Sequence, residues 1–267
     1  MRKISDEIKK QITKTLNEIE DKYDVKILYA VESGSRAWGF ESKDSDFDIR
    51  AIYTHKKNWY LSIWKERDVI ELMTDKRLDI IGWDLKKALK LLYNSNPPLL
   101  EWIKSPIIYL ENKYFKGILE ELEKIYFRPK SCLYHYLNMA RSNYSNYLKK
   151  DIVRVKKYFY ALRPILACCW IEKNGTAPPM EFEVLVDHHI SDSRLKEEII
   201  KLLDRKRHGV ELDKEPVIET INEYIAKKIQ CYFEYTKDIH DRNKLNKDIM
   251  NQKFVEILDT IYNKKMF

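Results

Sequence analysis

Apolar residues at Ile4, Ile8, Ile12, Leu16 and Ile19 recur in steps of three and four, with Ser5 placed to cap the first turn. Such steps put them on one face, so the chain opens with an amphipathic helix. The period then shortens. Residues 25–31 form a β-branched and apolar run. From Asp46 the alternation is strict, with Phe47, Ile49, Ala51 and Tyr53 on one face and Asp46, Asp48 and Arg50 on the other. Further apolar stretches at 69–73, 78–81 and 106–110 predict the remaining strands of a small mixed sheet. Asp84 is placed to cap a helix over 85–93, Asn96-Pro97-Pro98 closes it, and a short helix follows over 99–104.

Beyond about residue 112 helical periodicity takes over, through 113–127, 130–149, 151–172, 192–207, 214–237 and 248–264. One irregular stretch, 174–182, interrupts it. The expected fold class is α+β: a mixed-sheet domain over 1–112 followed by an all-helical domain over 113–267.

Composition changes this picture little. The chain has 267 residues, 44% of them apolar, with only six glycines and eight prolines, which suits a packed, helix-rich interior. Four cysteines lack metal-ligand spacing, and Cys168-Cys169 sit in an apolar run as buried thiols. The first residues lack the apolar stretch of a secretory signal, and no segment approaches a membrane span. The expectation is a soluble, cytoplasmic protein with no membrane partner.

Charge matters more through its distribution than through its net value of +7. Between Lys124 and Arg163 the only acidic residue is Asp151, against ten lysines and arginines interleaved with seven tyrosines. Cations beside aromatic rings suit phosphates and stacked bases. Lys156, Tyr160 and Arg163 fall at i, i+4 and i+7 on one face of a predicted helix, ahead of a kink at Pro164. That face is expected to meet a triphosphate, with Lys156 and Arg163 on its oxygens and Tyr160 on sugar or base.

The sharpest chemistry lies earlier. Gly34-Ser35 breaks the first strand as a tight turn would, and Asp46-Phe47-Asp48 opens the alternating strand. Two carboxylates two residues apart on a strand share a face and can share divalent cations. A third acid from a neighbouring strand completes such a site and can take the proton of an attacking hydroxyl. Asp79 is the candidate, because Leu78 and Ile80 would face the core and leave it on the opposite face; Asp84 is the rival, better explained as a helix cap. An open grip is expected: Asp46 and Asp48 facing away from the turn, or plugged by a neighbouring arginine with no room for a cation, would overturn the enzyme reading. No P-loop and no dinucleotide-binding glycine pattern is present.

Gly34-Ser35-Arg36-Ala37-Trp38-Gly39 followed by Ser45-Asp46-Phe47-Asp48-Ile49-Arg50 resembles the signature of nucleotidyltransferases of the DNA polymerase beta superfamily. More narrowly, it resembles the group associated with RNA repair and called RlaP. Further similarity lies in Gly82 to Leu89, Asn96-Pro97 through Trp102, Lys156 through Pro164, and Pro178 through Phe182. The resemblance implies magnesium-dependent transfer of a nucleoside monophosphate from a triphosphate. Two Mg2+ ions, with Mn2+ as a substitute, would be held by Asp46, Asp48 and Asp79, while Gly34, Ser35 and Arg36 would bind the triphosphate. An RNA acceptor, in repair or tRNA maintenance, is the first reading. Transfer of AMP onto the hydroxyl of a protein partner is the alternative.

Overall fold

The computed structural model describes residues 4–42, 45–74, 77–208, 214–239 and 246–262. Ser5 caps helix α1 (Asp6–Tyr23), its hydroxyl accepting from the Ile8 N–H at 3.3 Å. Ile12, Leu16 and Ile19 are buried. Strand β1 (Val25–Glu32) leads to a one-turn helix, α2 (Gly34–Ala37), and β2 (Phe47–His55) follows. A 3-10 turn (Lys57–Leu61) precedes β3 (Val69–Met73) and β4 (Leu78–Asp84). Helices α3 (Leu85–Tyr93) and α4 (Pro97–Ile103), strand β5 (Ile108–Glu111) and helix α5 (Lys113–Tyr126) complete this half of the chain.

The five strands form one mixed sheet in the order β3-β4-β2-β1-β5. Among the described residues only β2 and β4 pair in parallel, with Asp48 opposite Asp79 and Tyr53 opposite Asp84. The alternation foreseen along β2 is realised: Ile49, Ala51 and Tyr53 join the core that α1 covers, and Phe47 packs at its edge. Asp84 ends β4 and caps α3, its carboxylate accepting from the Lys86 N–H at 2.8 Å.

Helices α6 (Pro129–Tyr147), α7 (Lys157–Asn174), α8 (Phe182–His189), α9 (Ser193–Arg207), α10 (Glu219–Asp238) and α11 (Lys247–Tyr262) make up most of the remainder. A two-stranded ladder interrupts them, β6 (Ile152–Arg154) against β7 (Lys214–Pro216). It shortens two expected helices, because residues 151–156 and 214–218 are not helical. Residues 182–189, the first expected to be irregular and the rest unassigned from the sequence, form α8. Its Phe182, Leu185 and Val186 are buried at helical spacing. Pro164 lies inside α7, which runs unbroken through it.

The chain divides into two compact units, and it passes between them more than once. One holds the described residues of Arg2–Ala37, Asp46–Phe127 and Asn243–Phe267: the sheet with α1 to α5, joined by α11. The other holds those of Trp38–Ser45 and Arg128–Arg242. Its core gathers Phe40 with Phe159 and Leu162 of α7, Phe182 of α8, Leu202 of α9 and Ile221 of α10. Among the described residues no helix is long and apolar enough to cross a membrane. Cys132, Cys168 and Cys169 are buried free thiols, and Cys231 is exposed.

Candidate active site

Gly34 opens the turn after β1 with φ +58°, a backbone conformation glycine adopts at little cost. A Cβ built there would collide with Oδ2 of Asp48. The Ser33 N–H donates to the Asp48 carbonyl at 2.8 Å and draws the turn onto β2. Glycine is therefore what allows the turn to lie against the carboxylate.

Parallel pairing sets Asp79 directly across from Asp48. Leu78 and Ile80 are buried and Asp79 lies half-buried on the opposite face, as the alternation required. Between the two carboxylates stands Arg50. Its Nη2 donates to Asp48 Oδ1 at 3.0 Å and to Asp79 Oδ2 at 2.8 Å. Its Nη1 donates to the carbonyls of Asp79 at 3.0 Å and Ile49 at 3.1 Å. The expected open grip is thus corrected: a guanidinium holds its centre. Arg50 was legible as a neighbour, since period-two alternation puts it on the face of Asp48. Its reach across to β4 was not.

Asp46 sits outside this pair. It lies just before β2 and is exposed. Its charge is near enough to raise the Asp48 carboxyl, which burial pushes up first and Arg50 pulls back down. Arg36 is folded over the Phe47 ring, 3.9 Å from its centroid, with Nε donating to the Asp46 carbonyl at 3.1 Å. Among the described residues no three His, Cys, Asp or Glu side chains gather as a metal cage. The structure brings Gly34, Asp48 and Asp79 together and leaves Asp46 at the rim. The oxygens of Asp48 and Asp79 nevertheless converge on a single cationic nitrogen. Anionic oxygens converging in this way fit a hard divalent cation, provided the guanidinium withdraws.

Behind Asp48 lies a residue that sequence reading missed. Glu32 ends β1 with its side chain fully buried. Its Oε1 accepts the backbone N–H of Asp48 at 2.8 Å, and its Oε2 accepts the Tyr109 hydroxyl in a short hydrogen bond. Burial pushes the Glu32 carboxyl up to about 7, against the pull of those two donors. An acid ending an otherwise apolar strand was the only available signal, because the cross-strand partner is invisible in one dimension.

The remaining expected contacts belong to the second unit. Lys156 is exposed and immediately precedes α7. Tyr160 is half-buried and meets Trp38 edge-on, with 6.1 Å between ring centroids. Lys157 lies over the rings of Tyr147 at 4.3 Å and Tyr160 at 5.0 Å. Arg163 departs from expectation. Its side chain is 2% exposed, its Nε donates to the Met180 carbonyl at 3.3 Å, and its guanidinium covers the Trp38 ring at 4.6 Å. A buried guanidinium engaged with backbone and ring braces α7 against neighbouring segments. Lys206 went unnoticed in the sequence. Its ammonium lies over Phe40 at 5.1 Å and Phe159 at 5.8 Å, and burial and then nearby Lys156 hold its pKa down.

Residues 8–256 match the family described as RNA repair pathway DNA polymerase beta family, RlaP. The chain is 48% identical over 255 residues to a Bacillus subtilis (strain 168) protein described as "Uncharacterized protein YcgL", covering 96% of this chain and 98% of that one. A crystal structure of a nucleotidyltransferase-like protein from Exiguobacterium sibiricum 255-15 aligns over 93% of this chain and 90% of its own. The identity there is 14% and the TM-score 0.30.

Proposed function

This chain belongs to the RNA repair pathway DNA polymerase beta family, RlaP, and is a polymerase-beta-like nucleotidyltransferase; on that premise we propose that it moves a nucleoside monophosphate from a nucleoside triphosphate onto a hydroxyl of RNA. The observation that carries the site assignment is the convergence of Asp48 and Asp79 oxygens on one cationic nitrogen, beside a turn that only glycine can close. Asp48 and Asp79, joined by Asp46 from the rim of the site, would hold Mg2+, with Mn2+ as a substitute. The metal would neutralise charge on the transferring phosphate, which is most of what such catalysis requires.

The chain's own residues do the rest. The turn at Gly34 and Ser35 receives the triphosphate next to Asp48. Arg50 gives up its two carboxylates when the charged substrate arrives, and its guanidinium is then available to phosphate oxygens. Asp79 accepts the proton of the attacking hydroxyl, which bonds to the α-phosphorus as pyrophosphate leaves. Glu32 keeps the backbone of Asp48 in register while this happens.

An RNA acceptor is favoured by the exposed basic surface along the segment between α6 and α7, β6 included. Lys149, Lys150, Arg154 and Lys156 are exposed there, and Lys149 and Lys157 lie over tyrosine rings. Purified protein should be incubated with Mg2+, each labelled triphosphate and a pool of cellular RNA, alongside a lysate-protein control. Label should enter nuclease-sensitive material and disappear in Asp46→Ala and Asp48→Ala. Label that follows protein and resists nuclease would move the acceptor to a protein hydroxyl. Incorporation undiminished in both variants would remove the site.

A further inference from the structure

On the sheet unit, helices α3 and α11 enclose a cleft of about 420 Å3. Its lining combines Leu89, Tyr93, Met250 and Phe254 with Lys86, Lys90 and Lys247, and the amides of Asn94 and Asn251 complete it. No carboxylate is among the described residues that line it. Lys86 and Lys90 are exposed and stand at i and i+4 on α3, so both ammonium groups look over the same side of that helix. Lys247 opens α11 and is exposed as well.

The two walls are held in place by their own contacts. The Tyr126 hydroxyl donates to the Asn246 carbonyl at 2.6 Å, just ahead of α11. Lys253 of α11 pairs with Glu121 of α5 at 3.6 Å. Phe254 packs edge-on against Tyr60, with 4.9 Å between ring centroids, and Tyr93 packs beside Tyr126 at 5.5 Å. The Tyr262 hydroxyl donates to the Thr54 carbonyl at 2.9 Å and fixes the far end of α11. The cleft is a built feature of this unit.

We propose that this cleft binds a nucleotide of single-stranded RNA and anchors the acceptor away from the reacting end, a role that rests on the RNA-acceptor reading above. The chemistry matches each part of a nucleotide: rings and apolar side chains for a base, amides for its edge, and a rim of cations for the flanking phosphates. Position sets the role. Asp79 and Asp84 lie at opposite ends of β4, five residues apart, which is about 17 Å of extended chain. Because α3 begins beyond Asp84 and none of Gly34, Asp48 and Asp79 lines the cleft, the cleft is assigned a nucleotide other than the one bearing the reacting hydroxyl. It holds a nucleotide further along the same strand, so longer acceptors bind more tightly than short ones.

Fluorescence anisotropy of a labelled 12-nucleotide single-stranded RNA, titrated across salt concentrations, tests this with the full chain. A variant with Lys86→Gln, Lys90→Gln and Lys247→Gln changes only exposed side chains, and its circular dichroism should match the parent. Its affinity should fall by about tenfold or more at low salt. The slope of log K against log salt should flatten by about 0.7 for each phosphate that the variant no longer neutralises. Photocrosslinking of the unaltered chain to 4-thiouridine RNA should place adducts on peptides of α3 or α11. An unchanged salt slope, or adducts confined to other peptides, overturns the cleft while leaving an RNA acceptor standing. A parent protein that binds no RNA yet consumes triphosphate overturns both.

Discussion

A methyl group added at Gly34 meets two obstacles at once, a left-handed backbone and the Asp48 carboxylate. Gly34→Ala should therefore lower stability by about 1–2 kcal/mol and nucleotide incorporation by about 100-fold or more, since small displacements of a reacting group are costly. Urea denaturation and the labelled-triphosphate assay separate the two effects, and full activity would detach the turn from the chemistry. Glu32 yields a prediction of a different kind. Its folded pKa of about 7 stands above the ordinary 4.5, so between those values the native state holds more protons than the unfolded one. Stability contributed by this group is complete below about pH 4.5 and is lost as pH rises through 7, by up to about 3 kcal/mol. Glu32→Gln keeps an acceptor for the Asp48 N–H and should abolish that decline, read as urea midpoints at pH 5 and pH 8. The same decline in both proteins would mean that another group is responsible. The contrast between these positions shows what one dimension reveals. Gly34 and Asp48 announced themselves through a broken strand pattern, whereas the function of Glu32 exists only once β1 lies beside β2.

Elements with a long apolar period and a capping side chain were the legible ones. Ser5 before α1 and Asp84 before α3 accept the backbone N–H groups expected of them. β6 and β7 were not legible, because three residues carry no period and their stability comes from pairing across a long loop. The burial of Arg163 was not legible for a related reason: helical spacing names a face but cannot say whether that face meets solvent or neighbouring segments. Capping also offers a quantitative check. Asn112 accepts the Phe115 N–H at 3.1 Å at the start of α5, whose Phe115, Ile118, Leu119 and Leu122 are buried. Asn112→Ala should cost about 1 kcal/mol and Asn112→Asp much less. Equal losses in urea midpoint would show that the side chain acts through something other than its acceptor oxygen.

At the scale of the whole molecule, the mixed-sheet and helical character was readable, but the path of the chain between units was not. Helical periodicity over 248–264 says that a helix exists there; it does not say that α11 returns to the sheet-bearing unit. The segment Trp38–Ser45 is the sharper case. It is tethered at both ends to the turn and strand that carry Gly34 and Asp48. Yet Phe40 is fully buried among α7, α8 and α9, the Phe182 N–H donates to the Trp38 carbonyl at 2.9 Å, and Arg207 donates through Nε to the Gly39 carbonyl at 3.0 Å. A protease nick confined to the link between Phe127 and Arg128 should therefore give two pieces that co-migrate on a native gel and part only in denaturant. Separation without denaturant would refute this. Severing the chain once is then not enough to liberate either half, because the amino-terminal piece has left a plug inside the wall of the other. Gene fragments ending near residue 127 would be born with that plug dangling and the socket missing, which makes them poor starting points for dissecting this enzyme.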